Sequence, residues 1–96
     1  MGSVHTSGQT QTEHANKYLL QLCKHWSHKA ETTSLLNSGT IKFSTGERVE
    51  LLAMGNVLKM VVSANSAFEL EEFVETVETH IRRFAFREDL VFEWEN

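Results

Sequence analysis

The stretch TIKFSTGERVELLAMGNVLKMVVS, residues 40–63, decides the fold. Three alternating apolar runs pass through it, and two turn signals separate them. Ile41 and Phe43 share one face of the first run, and Thr45-Gly46 turns the chain. Val49, Leu51 and Ala53 share a face of the second. Gly55-Asn56 is a two-residue hairpin signal, and Leu58, Met60 and Val62 continue at the same period of two. That period lines one side of a β-strand. The connections are too short for crossovers, so neighbouring strands pair antiparallel. A weaker run over residues 32–36 precedes them and ends at Asn37-Ser38-Gly39. The reading is a four-stranded meander, with Leu52 and Val61 projecting from the face opposite the core.

Helical patterns flank the meander on both sides. Ala15, Tyr18, Leu19, Leu22, Cys23, Trp26 and Ala30 recur at helical spacing, so a helix is expected over residues 13–29, with Thr12 as N-cap. Ser66-Ala67-Phe68-Glu69 is a capping box. The stripe Ala67, Leu70, Phe73, Val74, Val77, Ile81 and Phe84 follows it and faces the core. Glutamates load the first turns of this second helix, and Arg82 and Arg83 its last, as the helix dipole favours. Leu90, Phe92 and Trp94 alternate in a closing strand. Residues 1–11 are polar and read as a flexible tail or a short edge strand at Val4-His5-Thr6. Residues 12–96 read as one domain. The fold class is α+β in two layers, order (β)αββββαβ: two helices on one face of a curved antiparallel sheet of four to six strands.

Composition bounds the rest. Ninety-six residues, 41% hydrophobic and 23% charged, suit one ordinary globular core. One cysteine allows no internal disulfide, which fits a reducing compartment. No apolar run is long enough to span a membrane, and residues 1–11 lack the pattern of a signal peptide. The expected location is cytoplasmic. The net charge is −4 and lopsided: residues 46–96 carry five basic and eleven acidic side chains. Such a chain is a poor candidate for binding a nucleic-acid backbone or a membrane.

Two segments carry candidate chemistry. In Cys23-Lys24-His25-Trp26-Ser27-His28-Lys29, the thiol and two imidazoles have the look of a metal-ligand set. Helical geometry argues otherwise, because His25 and His28 lie about 160° and 140° around the helix from Cys23. Cys23 therefore reads as a small core residue, and no metal or cofactor is implied. His25 and His28 share a polar face, which is either solvated or a ligand site. The second segment is Arg82-Arg83-Phe84-Ala85-Phe86-Arg87-Glu88, where Glu78 is placed to pair with Arg82 and both Phe84 and Phe86 read as core. If the two helices run parallel, their C-terminal ends meet. Lys24, His25, His28, Lys29, Arg82, Arg83 and Arg87 would then form one basic cluster suited to a carboxylate or phosphate.

Residues 17–29 and the run His80-Ile81-Arg82-Arg83-Phe84-Ala85-Phe86-Arg87-Glu88, followed by a strand ending in Trp94, resemble the signature of the domain of unknown function 2218 family. Gly39-Thr40-Ile41-Lys42-Phe43, Gly46 and Glu50-Leu51 fit its sheet pattern. The resemblance implies a small bacterial or fungal α+β domain without a settled activity. Similar domains occur attached to siderophore-interacting flavin reductases, which implies an accessory role in iron or siderophore metabolism. Some members carry the name 2,4-dihydroxyhept-2-ene-1,7-dioic acid aldolase. Aldolases of that name are metal-dependent (β/α)₈ barrels of about 250 residues, a fold this chain is too short to form. No catalytic residue carries over. Three functional readings remain: a domain binding a small anionic ligand, a protein-interaction or dimerisation module using the open sheet face, and an enzyme. The balance of the sequence is against the last.

Overall fold

A computed structural model describes residues 3–95. The elements are β1 (Val4–Gln11), α1 (Ala15–Trp26), β2 (Glu31–Leu35), β3 (Ser38–Lys42), β4 (Arg48–Met54), β5 (Val57–Ala64), α2 (Ala67–Phe84) and β6 (Phe92–Trp94). The six strands form one antiparallel sheet in the order β2-β3-β4-β5-β1-β6. Both helices lie on one face of it. α1 covers β2, β3 and β4, and α2 covers β5 and β1. The expected α+β architecture and element order are those observed. Every pairing is antiparallel, whereas a barrel aldolase needs eight parallel strands.

The period-two reading sets the register. Ile41 pairs with Val49, Val49 with Val62, and Leu51 with Met60. All of these side chains are buried beneath the helices. From α1 they meet Tyr18, Leu19, Leu22, Cys23 and Trp26, and from α2 Phe73, Val77 and Ile81. Trp26, Phe43 and Phe73 form an aromatic knot at one end of the core, with centroids 5.2 to 6.0 Å apart. Leu52 and Val61 stand on the uncovered face, as their register requires.

The turns sharpen the expected boundaries. Asn37 takes φ 64°, a conformation asparagine tolerates, and it closes the β2–β3 hairpin with Leu36. Ser38 and Gly39 therefore belong to β3 rather than to the turn. α2 begins as the capping box requires: Ser66 is extended, and its hydroxyl accepts from the Glu69 N–H at 3.2 Å. Ser66→Ala is expected to cost about 1 kcal/mol. In a chain of this size that lowers the thermal midpoint by roughly 4–8 °C, and a calorimetric scan measures it.

Several expectations are corrected. Residues 4–11 form a strand, as the second alternative for the N-terminus had it, but one longer than Val4-His5-Thr6 and flanked on both sides at residues 8–10. β1 pairs with β5 along its whole length and with β6 from Gly8 to Thr10. Its helix-facing positions are Val4, Thr6, Gly8 and Thr10, a weak apolar pattern because Trp94 of β6 supplies the bulk over Gly8. A Cβ at Gly8 would stand 2.3 Å from the Trp94 ring, so the indole occupies the space a side chain would take. α1 starts and ends inside residues 13–29, and its N-cap is His14, without a side-chain cap bond, rather than Thr12. Thr12 serves elsewhere. Its hydroxyl accepts from the His14 N–H at 3.1 Å and donates to the Glu88 carboxylate at 3.0 Å. Ala67 and Phe86 are exposed rather than in the core. Ala85 takes the inward position after α2, which turns Phe86 outward to 77% exposure.

Candidate functional site

The two helices run in opposite directions, not parallel. Four consecutive antiparallel strands leave β2 and β5 pointing opposite ways. α1 returns into β2 and α2 departs from β5, so the helices oppose as well. The contacts agree. Tyr18, near the start of α1, meets Glu88 beyond the end of α2. Trp26, at the end of α1, meets Phe73 and His80. The cations expected in one cluster are therefore not brought together at one point.

At one stretch of the seam His25 of α1 faces α2. Its ring centroid lies 4.9 Å from that of His80 and 6.1 Å from that of Phe84. His80 also lies 4.9 Å from Trp26. The His80 Nδ1 sits 2.8 Å from the Thr76 carbonyl. A carbonyl oxygen only accepts, so Nδ1 carries the proton and Nε2 keeps its lone pair when the ring is neutral. His25 is exposed, and the partial desolvation of its ring lowers its pKa from the ordinary value, helped by the nearby His80, Lys29, His28 and Arg83. Of the candidate residues, His28, Lys29 and Arg83 are thus each within electrostatic reach of His25. Lys24 is exposed on α1, and its carbonyl accepts from the Ser27 hydroxyl.

Arg82 and Arg87 leave this group. Arg82 turns toward β6, where it donates to the Leu90 carbonyl at 2.8 Å, pairs with Glu78 at 3.6 Å and lies over the Phe92 ring at 4.9 Å. That fastens the last strand to α2. Arg87 lies over Phe86. Cys23 points the other way from His25, into the core: a Cβ on Gly39 of β3 would come within 2.8 Å of its sulfur. Burial raises its thiol pKa, as expected for a core residue rather than a thiolate ligand.

At the other end of the seam lies a pocket of about 420 Å³, lined by His14, Lys17, Tyr18, Phe84, Phe86, Arg87 and Glu88. Tyr18 and Thr12 are 4% and 5% exposed, and the Glu88 carboxylate accepts from both hydroxyls. Burial and the Glu88 carboxylate push the Tyr18 pKa up to about 12, so the phenol stays a proton donor at neutral pH. Lys17, Tyr18, Glu88 and His80 were not among the candidate residues. The even number of meander strands was the available signal for the helix directions that bring them into the seam. A larger groove, about 500 Å³, crosses the uncovered sheet face past Lys59, Glu93 and Glu95. Its charges are mixed, with one lysine against two glutamates.

Comparison with known proteins places the chain. The NMR structure of PA4090 from Pseudomonas aeruginosa superposes on it with a TM-score of 0.78 and 31% identity, over 95% of this chain and 94% of that one. No curated protein matches. Residues 7–95 match the family described as uncharacterised proteins conserved in bacteria, DUF2218. Taken with the two helix motifs and the shared fold, that match means the chain belongs to the DUF2218 family.

Proposed function

We propose that the chain is a small-molecule-binding domain, and that its ligand is a small organic anion with an apolar body held in the pocket at the helix joint. One observation carries the reading. Lys17 and Arg87 line the same pocket as Tyr18, Phe84 and Phe86, and neither cation enters an ion pair among the described residues. In a chain of net charge −4, two cations free of ion pairs beside aromatic walls suit a carboxylate on a ring or alkyl chain. The pocket lies at the N-terminal end of α1, whose dipole favours an anion, and at the C-terminal end of α2, whose dipole opposes one, so the two cations decide its sign. The Glu88 carboxylate also opposes an anion, but the Thr12 and Tyr18 hydroxyls hold its oxygens. An accessory role near siderophore chemistry falls within this reading, since catecholates and citrate-type carboxylates belong to the same ligand class.

The test is a titration of ¹⁵N-labelled protein with benzoate, followed by NMR. Shifts are expected at Lys17, Tyr18, Phe86 and Arg87. Lys17→Ala and Arg87→Ala should each weaken binding about tenfold, the worth of one charge-assisted hydrogen bond. Absence of shifts there, or shifts unaffected by either variant, overturns the reading.

A second reading, docking of a protein on the open sheet face, rests on Leu52 and Met54, which are 41% and 51% exposed. Arg48, Glu50 and Lys59 stand on the same face, so the apolar patch is small. Concentration-dependent association in sedimentation, abolished by Leu52→Glu, would favour this reading over the pocket.

A further inference from the structure

We propose that the His25–His80 pair is a second anion subsite of the seam, one that receives an oxyanion only when an imidazole carries a proton. It rests on the pocket reading for the ligand's class and adds where a further anionic group of that ligand, or a separate anion, is held and what controls it.

The imidazoles face each other across the helices with centroids 4.9 Å apart. Trp26 lies near both rings, and Phe84 lies 6.1 Å from His25. Phe84 also walls the pocket, so the two stretches of the seam are continuous. The charged groups acting on His25 are His80 and Arg83 from α2 and His28 and Lys29 from its own end of the chain. All are cationic or become so on protonation. Neither imidazole pairs with a carboxylate among the described residues. A histidine cluster that served only to stabilise the fold would gain from an acidic neighbour, and this acidic chain has many to offer. Here the unprotonated pair is tolerated because it is neutral. The protonated pair is a concentration of positive charge that an oxyanion would neutralise. Two imidazole N–H groups and the Arg83 guanidinium provide donors for a carboxylate or sulfate-like group. Anion binding and proton binding at this site then favour each other by linkage.

The test measures binding of sulfate and of benzoate against pH, at constant ionic strength. Sulfate keeps its charge across the range in which histidines titrate, so any pH dependence belongs to the protein. Sulfate affinity is expected to fall about tenfold per pH unit above the imidazole titration, the mark of one linked proton. Histidine ring resonances should show the His25 titration moving to higher pH when sulfate is added. The double variant His25→Gln/His80→Gln should lose the pH dependence while benzoate still shifts Phe86 and Arg87. Preserved NMR dispersion of that variant shows that it folds. Sulfate binding that does not vary with pH overturns the proposal and leaves the pocket reading standing. pH-dependent binding that survives the double variant also overturns it, and points to His14. Loss of benzoate shifts alone overturns the pocket reading and leaves the imidazole subsite.

Discussion

Replacing Gly39 with valine is expected to cost about 3 kcal/mol, the upper end for overpacking a core. Gly39 sits on the helix-facing side of β3 opposite Leu51. A Cβ there would stand 2.8 Å from the sulfur of Cys23 and 3.2 Å from a methyl of Leu19. Those two side chains are 4% and 0% exposed. They belong to the α1 stripe that seats the helix on the sheet, so they have nowhere to retreat. The glycine is required by the close approach of α1, not by a turn. This can be separated from a backbone effect. Gly39→Ala alone should destabilise, and adding Cys23→Ala should recover much of the loss, because contacting sites couple in a double-mutant cycle. Urea denaturation of the four proteins measures the coupling. A neutral Gly39→Ala, or a loss that Cys23→Ala leaves unchanged, would show that α1 does not rest on this strand as described. The same cycle reports on function, since α1 carries Lys17 and His25 into the seam.

Gly39 also shows where local reading succeeded and where it stopped. The meander's alternation was legible because Ile41, Val49, Leu51, Leu58, Met60 and Val62 each needed only their own period to find a face. The start of α2 was legible because a capping box is complete within four residues. β1 was not, because its apolar partner is the indole of Trp94, far along the chain. Val4, Thr6, Gly8 and Thr10 do not announce a sheet interior until that ring is in place. The basic cluster was misjudged for a different reason. It required the helices to run parallel, and they run in opposite directions. Counting the meander strands would have set them antiparallel, separated Arg87 from His25, and brought His80 opposite His25. Arg82 was diverted by an acceptor no pattern predicts, the Leu90 carbonyl.

Glu88 was hidden most completely, since its hydroxyl partners lie 76 and 70 residues earlier, and the second large effect is expected there. Glu88→Ala should cost about 3 kcal/mol. It strands the Thr12 and Tyr18 hydroxyls, both nearly inaccessible to water, and an unpaired buried polar group costs about 1–3 kcal/mol. Tyr18→Phe should cost about 1 kcal/mol, because Glu88 keeps Thr12 and is itself only half-buried. The network also has a pH signature. The folded phenol titrates at about 12, above about 10 in the unfolded chain. Between those values the folded state binds more protons than the unfolded one. The stabilisation is therefore complete below about pH 10 and is lost as pH rises toward about 12. Tyr18 is the chain's one tyrosine, so tyrosinate absorbance reads it alone. Glu88→Gln should move that titration part of the way down, because burial, the largest cause of the rise, remains and the amide oxygen can still accept, while the carboxylate charge is lost. Tyr18→Phe should remove this alkaline loss of stability. A wild-type titration at the ordinary value, unmoved by Glu88→Gln, would show that Glu88 does not bridge the start of α1 to the end of α2. The pocket between Lys17 and Arg87 would then lose the strut that sets its shape.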